Sequence, residues 1–220
     1  MTIELRNVTK TYRSRRTGRK TVLHDINAVF ERGHSYGILG VNGAGKSTLL
    51  RIICGAERPT FGEVRKDVSI SWRLGFASSF NSSLTGMENL RFVCRIYNAN
   101  IQEVSDFVED FAEIGNAIHE PVRNYSSGMR SRLAFGLSMA IKFQVYVIDE
   151  ALAAGDFTFQ EKAKAEFERR RKESDILLTS HMPKAIEEYC DRAGVVHHGR
   201  LEMFDSVEEA TDYYEQVTRK

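Results

Sequence analysis

Over the first 34 residues, hydrophobic and polar positions alternate in short runs with turn signals between them. Ile3, Glu4 and Leu5, and residues 22–26, therefore read as short strands. Residues 35–39 form an apolar run that predicts a buried strand, and 48–54 predict an amphipathic helix stopped by Gly55. Further β-like segments fall at 62–64 and 68–72, and then the period changes. Thr85 followed by Glu88 is a capping box that starts a helix running to about Tyr97. Ile101, Val104, Val108, Phe111 and Ile114 recur at helical spacing and predict one buried face; a further helical run covers 133–141. Apolar β runs return at 145–148, 176–178 and 194–196. A last helix opens on a second box, Ser206 with Glu209, and carries the stripe Val207, Ala210, Tyr213, Tyr214 and Val217. Strands separated by helices predict an α/β protein with a parallel sheet covered on both faces and ligands at the strand C-terminal ends. The helical stretch of about 81–142 reads as an insertion into that sheet domain.

Composition narrows the partners. At 220 residues the chain can bury one good core with a small appended lobe. Its 31 basic and 30 acidic residues offer no electrostatic argument for nucleic acid. Three widely spaced cysteines, Cys54, Cys94 and Cys190, form no paired motif and suit a reducing compartment. The N-terminus does not read as a signal peptide, and the apolar runs fall short of the roughly 20 residues that span a bilayer. Any action at a membrane is therefore expected to pass through a partner. One basic cluster, residues 13–20, reads as an exposed hairpin loop, with contact to anionic headgroups as its alternative use.

Between the buried strand and the first helix stand Gly40, Val41, Asn42, Gly43, Ala44, Gly45, Lys46 and Ser47, followed by Thr48. Gly, four residues, Gly-Lys-Ser is a phosphate-binding loop, and a strand before it with a helix after it is the context it needs. The glycines let the backbone wrap an anion and turn N–H groups inward, and the helix adds the positive end of its dipole. Lys46 is expected to reach the β- and γ-phosphates, and the Ser47 hydroxyl to bind a bridging magnesium. The chain is thus expected to bind a nucleoside triphosphate.

Two further strand ends carry chemistry. The run 145–148 leads to Asp149 and Glu150. A carboxylate at the tip of a buried strand beside a phosphate loop can hold magnesium through water, and its neighbour can polarise the attacking water as general base. The apolar strand 176–178 leads through Thr179 and Ser180 to His181, placed to donate to the γ-phosphate and keep the water in register with Glu150.

Tyr125, Ser126, Ser127, Gly128, Met129 and Arg130 stand just ahead of the helical run. They resemble the Leu-Ser-Gly-Gly-Gln signature of ABC-transporter ATPases. By the same resemblance, which spans the whole chain with its motifs in order, Tyr12 matches the aromatic that stacks on adenine. Asp156 matches the acid of the dimer-interface loop after the catalytic glutamate, and His181 the switch histidine. The resemblance implies a P-loop NTPase of the ABC type, with a RecA-like, mostly parallel sheet core, N-terminal antiparallel β strands and an inserted helical subdomain. Residues 1–220 would form a single ABC ATPase domain, with a sheet lobe at about 1–80 and 143–220 and a helical lobe at about 81–142. It further implies ATP and Mg2+ as cofactors and no nucleic-acid partner. A second copy would present Ser126, Ser127 and Gly128 to the ATP held by the first, forming a two-fold sandwich. By its residue chemistry alone, the Ser126–Ser127 pair also fits an ordinary helix N-cap.

A finer resemblance points to a substrate. Ser71 and Trp72, the stretch 80–92, the stretch 94–97, Glu120 with Pro121 and Val122, the stretch 125–135 and the closing Tyr213, Tyr214 and Glu215 look like the bacterial capsular-polysaccharide export ATPases. That implies an integral membrane permease as partner, a place on the cytoplasmic face of the inner membrane, and a groove around Asn81 and the helix 87–97 that receives a helix of the permease. Related O-antigen exporters often carry a further carbohydrate-binding domain, which this chain is expected to lack. O-antigen, a teichoic-acid-like polymer or another substrate are the alternatives, and a soluble non-transport ABC ATPase a more distant one. Two positions depart from the wider family. Asn81 stands where a magnesium-contacting glutamine is usual, one methylene shorter, and Ser127 stands where a glycine is usual.

Overall fold

The computed structural model describes residues 2–14, 18–74, 80–149 and 157–219. Two long strands, β1 (Thr2–Ser14) and β2 (Gly18–Glu31), form an antiparallel hairpin, and β4 (Phe61–Lys66) pairs antiparallel to the other edge of β1. The hairpin pairs Tyr12 with Lys20, Arg13 with Arg19 and Ser14 with Gly18, so most of the basic segment expected as loop is strand. Alternating Ile3, Leu5 and Val8 on β1 and Leu23, Ile26, Ala28 and Phe30 on β2 are buried, which fixes the register through one apolar face.

The second sheet has six strands in the order β5-β6-β7-β3-β8-β9. These are β3 (Tyr36–Leu39), β5 (Ile70–Arg73), β6 (Val145–Asp149), β7 (Asp175–Ser180), β8 (Arg192–His197) and β9 (Arg200–Phe204). Pairings β6–β7, β7–β3 and β3–β8 are parallel, and β8–β9 is antiparallel. The central strands read as continuous apolar runs because parallel strands are covered on both faces. The sheet expectation is therefore met.

Seven helices are described: α1 (Lys46–Cys54), α2 (Gly86–Tyr97), α3 (Ile101–Ala112), α4 (Ser127–Ala140), α5 (Phe157–Arg171), α6 (Pro183–Tyr189) and α7 (Val207–Thr218). The expected box at α2 forms in both directions, Thr85 Oγ1 accepting from Glu88 N–H and Glu88 Oε2 from Thr85 N–H. At α7 the Ser206 arm forms, accepting from Glu209 N–H. Ile114 falls outside α3, which ends at Ala112 with Glu113 in the left-handed region at φ 52°.

The chain divides into two compact units, one of 1–71, 144–151 and 174–220, the other of 72–143 and 152–173. The second unit begins earlier than the expected 81 and takes in α5, which the apolar stripe expected for α3 does not reveal. Phe159, Ala163 and Phe167 recur every four residues on α5 and are buried, and Phe159 meets Phe111 of α3 edge-on at 5.5 Å. In the first unit, Ile38, Leu49, Leu50, Ile53, Val147 and Leu177 share a core that holds the strand ends in place.

Candidate functional site

The phosphate loop leaves the buried strand β3 and enters α1. Gly40 is required by space, because a Cβ there would meet the carbonyl oxygen of Val196 at 2.7 Å. Gly45, the N-cap of α1, sits at φ 115°, and a Cβ there would also press Leu23 at 2.9 Å. Ala44 N–H donates to the Val41 carbonyl at 3.1 Å and closes the turn. Lys46 is 5 % exposed, and its ammonium donates to the carbonyls of Gly40 at 2.6 Å and Val41 at 3.3 Å. Asn42, Gly43, Gly45, Lys46, Ser47 and Thr48 line a hollow of ≈ 160 Å³ whose far wall is Val22. An open concavity of this kind at a helix N-terminus suits an anion.

The fold brings Ser47 to Asp149 across 102 residues of chain, with the Ser47 hydroxyl donating to Asp149 Oδ1 at 3.3 Å. Thr179 on β7 donates to the same oxygen at 2.7 Å. A hydroxyl and a carboxylate are hard oxygen donors, and among the described residues no cluster of three His, Cys, Asp or Glu could hold a metal. That donor set suits magnesium, which keeps waters and phosphate oxygens and takes few protein ligands. The cradle and its donors thus fit a magnesium–nucleotide.

Tyr12 lies in the same unit and is held from two sides. Its hydroxyl donates to Glu57 Oε2 at 2.8 Å and accepts from Arg51 at 3.1 Å, while the Lys10 ammonium lies 5.2 Å from the ring centroid. Arg51 also donates to Thr48 Oγ1 at 3.1 Å, which ties Tyr12 to the loop helix. Burial pushes Glu57 up, but the hydrogen bonds and charges of Lys10, Tyr12 and Arg51 outweigh it and hold its carboxyl below the usual range. Val22, Arg51, Glu57 and Thr179 were not singled out from the sequence. Arg51, in the last turn of α1, and Glu57, just beyond that helix, carry no motif, and only the fold shows their part.

His181 follows β7 directly and is exposed, and its carbonyl accepts from the Tyr214 hydroxyl of α7 at 3.3 Å. Glu150 and Asp156 lie outside the described residues.

The second unit carries the other candidates. Ser126 is the N-cap of α4, its Oγ accepting from Met129 N–H at 3.2 Å, and Ser127 and Gly128 form the first turn. Tyr125 behind them is buried, donating to the Ala117 carbonyl at 2.5 Å, and Arg130 donates to the Tyr125 carbonyl at 2.7 Å. Ser126 therefore caps its helix as its chemistry alone suggests, on a firmly anchored turn. Asn81 is exposed, and its Oδ1 accepts from Ser83 N–H at 3.0 Å in a local turn braced by Asn89.

Residues 23–153 match the ABC transporter family model. The chain is 49% identical over 98% of its length to the capsule polysaccharide export ATP-binding protein CtrD of Neisseria meningitidis serogroup B, 99% of which is covered. It is 45% identical over 97% of its length to the polysialic acid transport ATP-binding protein KpsT of Escherichia coli, covering 99% of it. Among solved structures, a dimeric post-hydrolysis state of the ATP-binding cassette MJ0796 bound to ADP and Pi shares the fold, with TM-score 0.72 at 20% identity, over 93% of this chain and 98% of that one. With the family model matching more than half the chain, and with relatives 49% and 45% identical over nearly all of it, this protein belongs to the ABC transporter family.

Proposed function

We propose that this chain is the ATP-binding and ATP-hydrolysing subunit of an ABC exporter that drives a capsular-type polysaccharide across the bacterial inner membrane through a separate permease. The observation that carries the ATPase reading is the meeting of Ser47 and Asp149 beside the buried Lys46. Near full-length similarity to capsule and polysialic acid exporters supports the cargo class.

In this reading Gly40–Ser47 and Thr48 cradle the phosphates, Tyr12 stacks on adenine, and Ser47 and Asp149 hold Mg2+, the latter through water. Magnesium, when bound, neutralises charge developing on the phosphates. Glu150 takes the proton from the attacking water, and His181 orients it against the γ-phosphate. Asn81 would be one of the magnesium-side residues and would couple the bound nucleotide to movement of the helical residues. Ser126, Ser127 and Gly128 act on the ATP of a second copy, with Asp156 at the dimer interface. Phe92 and Ile96, each 59% exposed, and Tyr97 give α2 an apolar face, and a permease helix at the inner membrane is its proposed occupant. No helix among the described residues is long and apolar enough to cross a membrane; in this reading the pore belongs to the permease.

The test is Glu150→Gln, read by phosphate release and by mass in solution. Loss of the general base is expected to slow turnover by about 10²–10⁴-fold while ATP binding persists, leaving an ATP-stabilised dimer. Turnover at the wild-type rate, or a variant that stays monomeric with ATP, overturns the reading.

A further inference from the structure

Strand order places β7 between β6, which ends in Asp149, and β3, which leads into the phosphate loop. Thr179 of β7 is opposite Asp149 on one side and Ile38 on the other. It is the first hydroxyl to follow the apolar run Ile176, Leu177 and Leu178, and it is 0 % exposed. A buried hydroxyl needs a partner, and this one finds it in Asp149 Oδ1 at 2.7 Å, the same oxygen that accepts the longer 3.3 Å bond from Ser47. A β-branched side chain has little rotamer freedom in a strand, so the hydroxyl is held where it is.

We propose that Thr179 is a positioning residue for Asp149, holding the carboxylate oriented beside Ser47 when magnesium is bound. A hydroxyl that binds a metal through an oxygen lone pair can still donate its hydrogen, but of the two donors on Asp149 Oδ1 the shorter bond comes from Thr179. With this fixed donor on Oδ1 from a buried strand position, the carboxylate keeps one orientation whatever Ser47 binds. Partners that orient groups around a metal in this manner change metal affinity when removed. The inference rests on the proposed role of Asp149 as a magnesium-linked group.

The experiment compares Thr179→Val, Thr179→Ala and Thr179→Ser in the full chain, following binding of trinitrophenyl-ATP in EDTA and across a magnesium titration, with melting checked for each. Thr179→Val and Thr179→Ala are expected to raise the magnesium midpoint by about tenfold or more and to leave binding in EDTA unchanged. Thr179→Ser is expected to titrate like the wild type. A purely packing role sorts the variants by shape instead, with valine like threonine and serine like alanine, and that order overturns the inference. Equal loss in EDTA and in magnesium overturns it as well. Asp149→Asn separates the levels. If it shifts the magnesium midpoint while Thr179→Val does not, the inference alone fails. If Asp149→Asn shifts nothing, the magnesium role of Asp149 fails and takes the inference with it.

Discussion

At the scale of single residues, Tyr12, proposed to stack on adenine, is held by groups that no motif names. Tyr12 is fixed by its own hydroxyl, shared between Glu57 and Arg51, and Glu57 is gripped on its other oxygen by Lys10 at 2.8 Å. Because those partners hold the Glu57 carboxyl below its unfolded value, the sign of its pH dependence is set. Its contribution is complete above the unfolded value of about 4.3 and is lost as pH falls through the lower folded value. Glu57→Gln is therefore expected to melt at a lower temperature than the wild type at pH 7, with the two converging below about pH 4. Thermal melts across that range check it. A gap that persists undiminished in acid would mean Glu57 acts through packing rather than charge.

At the scale of elements, helix ends decide more than helix interiors. The second helix opens on a box closed in both directions and ends on Asn98 in the left-handed region at φ 51°, where a short amide side chain is tolerated. Thr85→Ala removes the cap of that helix and is expected to cost about 1 kcal/mol; urea denaturation should show it, with Thr85→Ser avoiding most of the loss. A wild-type midpoint for the alanine variant would show that packing, not the cap, starts this helix. The fourth helix is different in use. Ser126 caps it with an ordinary side-chain acceptor, and the turn is anchored from behind by Tyr125 and Arg130. The cap seen here and the phosphate-contacting role proposed for this turn would use the same backbone.

At the scale of the whole molecule, the two units are held by different cores. The first packs aliphatic residues against the central strands. The second is aromatic: Phe111 stacks on Phe107 at 5.3 Å, meets Phe135 at 6.1 Å and Phe159 at 5.5 Å, and carries the Lys162 ammonium 5.1 Å from its centroid. Phe111→Ala is expected to cost about 3–5 kcal/mol, and to do so locally, since sub-global opening follows packed units. Hydrogen exchange should rise across α3, α4 and α5 while the six-stranded sheet keeps its protection. A uniform rise in both units would mean they unfold as one.

Sequence alone determined the features whose causes act within a few residues. The phosphate loop, the Thr85 box, the Ser126 cap and the carboxylate at a strand tip are local matters of backbone freedom, hydrogen-bond reach and apolar period. The same periodicity marked α3, although its end at Ala112 depended on Glu113 turning left-handed. Tertiary structure decided what neighbours what. Nothing in 145–149 or 175–180 taken singly says that these strands lie side by side, or that Thr179 faces Asp149. Nothing near Tyr12 says that Arg51 and Glu57 will hold it. The helix over 157–171 joins the second unit through distant partners, Phe159 meeting Phe111 and Phe135 there. Strand order and register come from burying distant apolar faces together, and that is a property of the folded chain rather than of any segment in it.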